Sequence, residues 1–173
     1  MLRSILIHPD PRLKKVCDPV RGIDDALRAL VGDMLETMYD APGIGLAAPQ
    51  IGVNARLLVM DCAQRDGGER PEPIAMINPD ITATSETLNE YEEGCLSIPD
   101  VYAPVTRPAE VEVRWTDPDG NERKRAFGGI HATCVQHEID HLNGKLFIDY
   151  LSALKRSRIT AKMKKLKRER ERD

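Results

Sequence analysis

The clearest periodicity in the chain is an apolar stripe at helical spacing near the N-terminus. Between Asp24 and Tyr39 the apolar side chains recur three or four residues apart, at Leu27, Leu30, Val31, Met34, Leu35 and Met38. Side chains at that spacing lie on one face of an α-helix. Asp24 can cap the first turn, and Pro42-Gly43 ends the helix. The pattern therefore predicts an amphipathic helix with one face against the core.

Short apolar or alternating segments later in the chain predict β-strands. The run from Ala55 to Asp61 is typical of a buried strand. Between residues 110 and 116, apolar side chains alternate with charged ones, which is typical of a half-buried strand. Residues 117–120 have the composition of a tight turn, so residues 121–127 are predicted to return as a hairpin partner. Residues 64–73 are polar and rich in glycine and proline, and they are predicted to form a surface loop.

Two further helices are predicted in the C-terminal third. Residues 130–142 are predicted to form a helix, which ends at Asn143-Gly144. From about Ser152 a basic helix carries four apolar residues near helical spacing, at Leu154, Ile159, Met163 and Leu166. These four are expected to dock on the body of the protein and to leave the basic face outward. Strands outnumber helices and do not alternate with them. The sequence thus predicts an α+β fold, with antiparallel β-sheets packed around the central helix 130–142 and a C-terminal helix over about 152–173.

Length and composition are those of a globular protein that stays in water. The chain has 173 residues, of which 41% are hydrophobic and 31% charged, so we expect a single domain over 1–173. No apolar run approaches the roughly 18 residues of a membrane span, and the apolar start is too short for a signal peptide. We therefore expect a cytoplasmic protein without membrane contact. In a reducing compartment its cysteines are expected to be thiols or ligands.

Charge is distributed unevenly along the chain. Residues 155–173 carry a net charge of +7, whereas the rest of the chain carries −10. A charge run is usually a solvated face, but this asymmetry also favours a tail that meets an acidic partner.

The segment from His137 to His141 is an H-E-x-x-H motif inside the second predicted helix. Residues four apart lie on one face of a helix, so both imidazoles can bind one metal ion. Glu138 lies beside them, close enough to bond to a water on that ion. Chance occurrence is disfavoured, because the chain has only 4 histidines and the motif falls within a helix, as the chemistry requires.

A catalytic site of this type needs a third protein ligand and one open position. The metzincin pattern fails, because Phe147 stands where the third histidine would be. The only downstream glutamates lie in the charged tail, which is a poor place for a buried ligand. A cysteine is the best remaining candidate, and Cys95 follows Gly94, where the backbone can turn tightly. The other thiols are expected to be small buried side chains, namely Cys17, Cys62 and Cys134.

Three segments together resemble the signature motifs of the peptide deformylase family, of the bacterial type. They are residues 43–50 (GIGLAAPQ), 93–97 (EGCLS) and 136–141 (QHEIDH), in the order of the family and at plausible spacing. The resemblance extends from Ile7 to Phe147. It implies a metal-dependent hydrolase that removes the formyl group from formyl-methionine at the N-terminus of newly synthesised proteins.

The resemblance also implies roles for individual residues. The metal ligands would be Cys95, His137 and His141, with water as the fourth ligand. Glu138 would take the water proton as general base and return it to the leaving amine. The side-chain amide of Gln50 and the backbone N–H of Leu96 would stabilise the oxyanion. The resemblance favours Fe(II) as the working ion, with nickel, cobalt or zinc able to occupy the site, since imidazole and thiolate suit Fe(II) and Zn(II) alike.

The substrate is expected to bind through its backbone. Residues 43–47 are small, so a formyl peptide could pair with them as an added strand. That pairing does not depend on the side chains of the peptide, which suits an enzyme that acts on many nascent chains. Only methionine would need a pocket; the candidate substrate-binding residues are Ile44, Gly45, Tyr91, Gly94, Ile130, Thr133 and Cys134.

Some positions depart from the usual family pattern. Tyr102 stands where many members have arginine, Gly128 where an acidic residue is common, and His131 where leucine is usual. None is an expected ligand or base, so these departures bear on the rim of the pocket and on substrate preference. His131 is expected to be partly exposed and away from the metal, and His8 is expected to be structural.

Two other functions are open on the residues alone. One is an H-E-x-x-H peptidase, which the lack of a suitable downstream ligand disfavours. The other is a ribosome- or RNA-binding module that acts through its basic tail. Such a module would have no need for Glu138 next to two histidines, which disfavours this function. We expect a monomer whose partners are formyl-methionyl nascent chains, with the basic C-terminal helix as a candidate contact to the ribosome.

Overall fold

The computed structural model describes residues 1–173 and has the predicted α+β architecture. Its helices and strands, in chain order, are α1 (Asp25–Asp40), β1 (Gly45–Ala47), β2 (Leu57–Met60), β3 (Ile74–Thr84), β4 (Leu88–Cys95), β5 (Ile98–Pro108), β6 (Glu110–Thr116), β7 (Glu122–Gly128), α2 (Gly129–Leu142) and α3 (Ala153–Arg172). No helix is both long and apolar enough to cross a membrane.

Two antiparallel sheets flank α2. One has five strands in the order β1-β2-β3-β6-β7, and the other is the β4–β5 hairpin. Strand β1 pairs only with β2, so one edge of β1 is free of other strands. The predicted hairpin of β6 and β7 is confirmed, with Val111 opposite Phe127 and Trp115 opposite Arg123.

The core explains the periodicity of the sequence. The stripe of α1 packs Val31, Met34 and Met38 against buried residues of β1 and β2, which confirms the predicted amphipathic helix. Asp24 caps α1 as expected, since its side chain accepts a hydrogen bond from the N–H of Leu27 at 2.8 Å. Helix α2 is apolar on the face that packs on the larger sheet, through Val135 and other residues.

The C-terminal helix docks as predicted except at its first turn. Met163 is fully buried, and Ile159 and Leu166 pack against the same cluster as Phe147. The expectation for Leu154 is wrong, because its side chain is 62% exposed. Leu154 precedes the buried Met163 by nine residues, and at about 100° per residue the two side chains lie on opposite sides of α3.

Candidate active site

The three predicted ligand side chains lie together beside the central helix. The ligand atoms of Cys95, His137 and His141 are all within 4.8 Å of one another. Cys95 Sγ lies 3.4 Å from His141 Nε2, and the Nε2 atoms of the two histidines are 3.2 Å apart. One sulfur and two imidazole nitrogens at this separation can surround a single ion.

Local structure explains this convergence. His137 and His141 are four residues apart on α2, so they stand one turn apart on one face. Cys95 is the last residue of β4 and is followed by a two-residue turn into β5. The N-terminal segment holds that turn in place, because the N–H of His8 donates to the carbonyl of Ser97 at 2.9 Å.

A buried carboxylate that the sequence analysis did not assign orients one of the ligands. Glu93 accepts a hydrogen bond from His137 Nδ1 at 2.9 Å and two from Arg107, at 2.7 and 3.0 Å. Burial alone would raise the pKa of Glu93, but the hydrogen bonds from His137 and Arg107 outweigh it and lower the pKa. Because Nδ1 donates to Glu93, Nε2 of His137 keeps its lone pair for a metal.

His141 is suited to bind a metal for a different reason, which is its lowered pKa. Burial, followed by the neighbouring His137, lowers the pKa of His141 well below its ordinary value. The neutral imidazole is the form that binds a metal. The ring nitrogen Nδ1 of His141 is buried and has no hydrogen-bond partner.

Glu138 lies next to the ligands with one oxygen free. Its Oε1 is 3.9 Å from His137 Nε2, and its Oε2 is buried without a hydrogen-bond partner. Burial raises the pKa of Glu138 to about 7, a value suited to both accepting and returning a proton near neutral pH. Gly45 of β1 makes room for this carboxylate, since a Cβ there would lie 2.7 Å from Oε1.

The two predicted oxyanion donors belong to residues close to Cys95. The side-chain oxygen of Gln50 accepts from the N–H of Ala47 at 2.9 Å, which fixes the side-chain nitrogen 3.5 Å from Cys95 Sγ and 3.1 Å from Ser97 Oγ. Leu96 is the first residue of the turn after β4, and its N–H donates no hydrogen bond within the chain. The Gln50 amide therefore lies beside Cys95, and Leu96 is the next residue of the chain, with its N–H unused.

A cavity of about 810 Å³ opens onto the ligands and Glu138. All seven candidate substrate-binding residues line it, namely Ile44, Gly45, Tyr91, Gly94, Ile130, Thr133 and Cys134. Ile44 and Gly45 belong to or adjoin the edge strand β1, as backbone pairing would require. Sequence reasoning did not find Arg65, from the surface loop, or Arg170, from the end of α3, both of which also line the cavity.

None of the other residues singled out in the sequence belongs to the cluster of ligand atoms, although Tyr102 lines the same cavity. Tyr102 is 66% exposed and stands against Gly94, where a Cβ would be 2.5 Å from its ring. Gly128 is the N-cap of α2. His131 Nδ1 is 3.7 Å from a carboxylate oxygen of Asp66. His8 is buried, as expected for a structural residue, and its Nε2 is 2.8 Å from the hydroxyl of Thr160.

The remaining thiols have the predicted burial. Cys17, Cys62 and Cys134 are all buried. Burial raises the pKa of Cys17, and contact with Cys62 together with burial raises that of Cys134, so both are neutral thiols. Cys134 Sγ lies 3.6 Å from the carbonyl oxygen of Ile44, at the wall of the cavity.

The residues present fit a divalent metal ion. The donor set of one thiol and two imidazoles suits Fe(II) and Zn(II). Glu138 Oε2 is buried without a hydrogen-bond partner, which costs free energy. A metal ion with bound water in the cavity would supply that partner. The hydrogen bond from His137 to Glu93 is the kind of support that metal-binding histidines require.

Comparisons with known proteins agree with this geometry. Residues 2–157 match the family model of polypeptide deformylase. A peptide deformylase of Bradyrhizobium diazoefficiens is 55% identical over 166 residues, which are 95% of each chain. A crystal structure of a peptide deformylase from Legionella pneumophila has a TM-score of 0.91 at 46% identity, over 100% of this chain and 99% of that one. A structure from Ehrlichia chaffeensis, in complex with actinonin, has a TM-score of 0.92 at 41% identity and covers 96% of this chain and 98% of that one.

Proposed function

Because the chain belongs to the polypeptide deformylase family, it is a hydrolase that removes the N-formyl group, and we propose which of its side chains perform each step. One observation carries the proposal. Three ligand atoms lie within 4.8 Å of one another, next to a buried carboxylate and at the floor of a cavity. This arrangement has a place for an ion, a base and a peptide.

Cys95, His137 and His141 would hold one divalent ion, and Glu93 would keep His137 in the required orientation. When bound, the ion would supply positive charge that lowers the pKa of a nearby water and polarises the formyl carbonyl. We propose Fe(II) as the working ion, with zinc, nickel or cobalt able to occupy the same site. The mixed sulfur and nitrogen donor set suits Fe(II) and Zn(II) alike, so reconstitution with each metal decides between them.

Glu138 moves the proton. It accepts a proton from the water that attacks the formyl carbon, and it delivers that proton to the methionine nitrogen as the C–N bond breaks. The products are formate and a free N-terminal amine. The raised pKa of about 7 supports this double role, because neither protonation state is strongly preferred near neutral pH.

Gln50 and Leu96 stabilise the charge that develops on the formyl oxygen. The Gln50 amide is held in place through its own oxygen, so little reorganisation is needed during the reaction. The N–H of Leu96 is free to donate. Removing one such donor costs about 3–4 kcal/mol in other enzymes.

The peptide backbone pairs with the free edge of β1, and its methionine side chain enters the pocket between β1 and α2. Ile44 and Gly45 supply the edge, and the apolar wall includes Ile130 and Cys134. The remaining candidates, Tyr91, Gly94 and Thr133, line the same cavity. Only the first side chain is enclosed, so sequence preference beyond methionine is expected to be weak.

The whole of 1–173 is proposed to act as one catalytic domain and as a monomer in the cytoplasm. Its substrates are nascent chains, and the basic helix α3 is proposed to bring it to the ribosome. That association should weaken with salt if it depends on phosphate contacts. Deleting residues after about Lys162 should also weaken it, but Met163 is fully buried, so charge substitutions that leave the core intact are the cleaner test.

The proposed function is tested by purifying the protein without oxygen, measuring its metal content and assaying peptides. We expect about one ion per chain and release of formate from formyl-methionyl peptides. Unformylated peptides of the same sequence should stay intact, whereas cleavage within those peptides would indicate a peptidase instead. Loss of activity on chelation and its return with Fe(II) but not Zn(II) would support the iron assignment.

A further inference from the structure

One wall of the active-site cavity carries a cation that the proposed function does not use. Arg65 comes from the β2–β3 loop (residues 61–73), and its side chain lines the cavity together with residues of the N-terminal half of α2, among them Ile130 and Thr133. A charge at the edge of a binding cavity affects which ligands bind there. Arg65 is therefore a candidate for recognising part of the substrate beyond methionine.

Hydrogen bonds hold the β2–β3 loop that presents Arg65. Asp61, the first residue of the loop, accepts a hydrogen bond from the hydroxyl of Tyr39 at the end of α1. The same carboxylate accepts from the backbone N–H of Glu72 at 3.1 Å, which closes the loop at its base. Arg65 is thus carried by a loop that is tied both to α1 and to itself.

The guanidinium of Arg65 has no acidic partner in the chain. Two acidic residues of the same loop face other groups, since Asp66 lies 3.7 Å from His131 Nδ1 of α2 and Glu72 forms an ion pair with Arg125 at 3.2 Å. Arg65 forms no ion pair and is exposed. Its charge is therefore available to a ligand in the cavity, on the side of α2.

The pairing of β1 with β2 places the loop at the end of the cavity where a bound peptide would leave. Gly45 lies opposite Met60, and the N–H of Asp61 donates to the carbonyl of Ile44 at 2.8 Å, so the loop begins beside Ile44. An added Cβ at Gly45 would touch Glu138, whereas Ile44 is partly exposed. A peptide whose formyl group lies at Glu138 and which pairs with this edge therefore runs towards Ile44 and the loop.

The alternation of side chains in a strand decides which residue of the peptide meets Arg65. The first and third side chains of a strand point to the same face, and the second points to the other. Helices α2 and α1 pack on opposite faces of β1, since Ala47 belongs to the cluster of α2 and Leu46 to that of α1. Methionine enters the pocket on the α2 side, so the third side chain also points towards α2 and Arg65. The second points to the side of α1, where Asp40 lines the cavity.

We propose that Arg65 selects for an acidic side chain at the third residue of the formyl peptide. The proposal rests on the proposed function, in which the peptide pairs with β1, and it adds a charge preference to a site that encloses only methionine. An acidic second residue would face the carboxylate of Asp40 and gain nothing. The preference is modest because Arg65 is exposed, and an ion pair open to solvent changes binding by about two- to fivefold.

Two series of peptides with amidated C-termini test the proposal on the metal-loaded enzyme. Formyl-Met-Ala-Xaa-Ser carries Glu, Gln or Lys at the third position, and formyl-Met-Xaa-Ala-Ser carries them at the second. In formate release by the wild type at low salt, kcat/KM should be about two- to fivefold higher for Glu than for Gln at the third position, and lower for Lys than for Gln. The difference should lie in KM, because the contact is remote from the bond that breaks. It should disappear as salt is added.

Three variants separate Arg65 from the general charge of the loop. Arg65→Gln should remove the preference at the third position, and Arg65→Glu should reverse it, so that the Lys peptide becomes the better substrate. Arg70→Gln is the matched control, because Arg70 belongs to the same loop, is exposed and does not line the cavity. The control loses the same charge and should keep the preference of the wild type.

Other outcomes would overturn the proposal. A preference that persists in Arg65→Gln, or that is lost equally in Arg70→Gln, would exclude a specific role of Arg65. A stronger preference for Glu at the second position would show that the peptide presents its side chains to the opposite faces. Equal hydrolysis of all the formyl peptides by the wild type would overturn the charge preference but leave the proposed function in place. Absence of formate release from every peptide would overturn both.

Discussion

Two adjacent residues of α2, His137 and Glu138, are placed in opposite electrostatic surroundings. His137 meets the carboxylate of Glu93, which is itself held by Arg107. Glu138 meets no cation within hydrogen-bond distance, and burial raises its pKa to about 7. For the proposed function, His137 is thereby oriented to act as a ligand, and Glu138 is left able to exchange a proton. This difference arises from the neighbouring strands, since both residues share the same helix.

We expect Glu138→Gln to retain the metal but to lose about 10²–10⁴-fold in turnover, because the change removes the base and leaves the three ligands. The amide has nearly the same shape, so the fold should be preserved. Formate release and metal content per chain measure the two effects. Turnover within about tenfold of the wild type would contradict the general-base role.

Cys95→Ser should reduce metal content and activity far more than Cys17→Ser or Cys62→Ser. Only Cys95 lies beside the two imidazoles, and a thiolate binds a soft divalent ion better than a hydroxyl does. The two controls place a hydroxyl in the core, so they are expected to lower the melting temperature without changing the metal content. Equal loss of metal in all three variants would contradict the assignment of Cys95.

Much of the site could be predicted from residues close together in the sequence. The spacing of His137 and His141 fixes their common face, and Glu138 follows from the same motif. Glu93 lies in a recognisable motif, but its role depends on Arg107, which is 14 residues away on another strand. Nothing in the sequence around Arg107 distinguishes it from a surface arginine, so only the fold reveals the pair.

At the scale of elements, β1 has two features that bear on the proposed function. It has a free edge, with which we propose the peptide pairs, and at Gly45 it approaches the Glu138 carboxylate closely. A side chain at Gly45 would occupy the space of Glu138, since a Cβ would lie 2.9 Å from its carboxylate carbon. Backbone and base are therefore in direct contact.

We expect Gly45→Ala to lower turnover by at least tenfold, because the added methyl group would displace the Glu138 carboxylate. Gly32→Ala is the matched control. Gly32 lies in α1 with no atom within 4 Å of an added Cβ, so alanine should raise the free energy of unfolding by about 0.5–1 kcal/mol. Peptide hydrolysis and chemical denaturation measure the two effects. Full activity of Gly45→Ala would show that the carboxylate can move without loss.

The strands that the sequence analysis did not identify contain features that usually argue against a strand. Strand β5 contains three prolines, at positions 99, 104 and 108. It pairs only with β4, so the missing N–H groups can face its unpaired edge. Strand β3 contains Pro79 beside a register shift, and Asn78 has a φ of 50°. The amphipathic helices and the β6–β7 hairpin were predictable, because their periodicity is local and uninterrupted.

At the scale of the whole molecule, the site lies where the two sheets meet α2, and Arg107 joins these parts. From β5, its guanidinium bonds to Glu93 of β4 at 2.7 Å and to Asp140 of α2 at 2.8 Å. It also lies 4.9 Å from the centre of the Tyr150 ring, in the short helix before α3. One buried cation on β5 thus contacts three other elements, and it holds the carboxylate that orients His137, the proposed metal ligand.

Arg107→Met should therefore destabilise the protein and weaken metal binding together. Removing one partner of a buried ion pair costs about 3–5 kcal/mol, because the other charge is left uncompensated. For a chain of this size the melting temperature should fall by about 10 °C.

Adding Glu93→Gln to Arg107→Met removes the uncompensated charge, so the double variant should regain part of the lost stability. Its metal affinity should stay about 10–100-fold below the wild type, since His137 then lacks the carboxylate of Glu93. Thermal melts and metal titrations of the two variants measure these effects. A single variant as stable as the wild type, or a double variant no more stable than the single one, would contradict this role of Arg107.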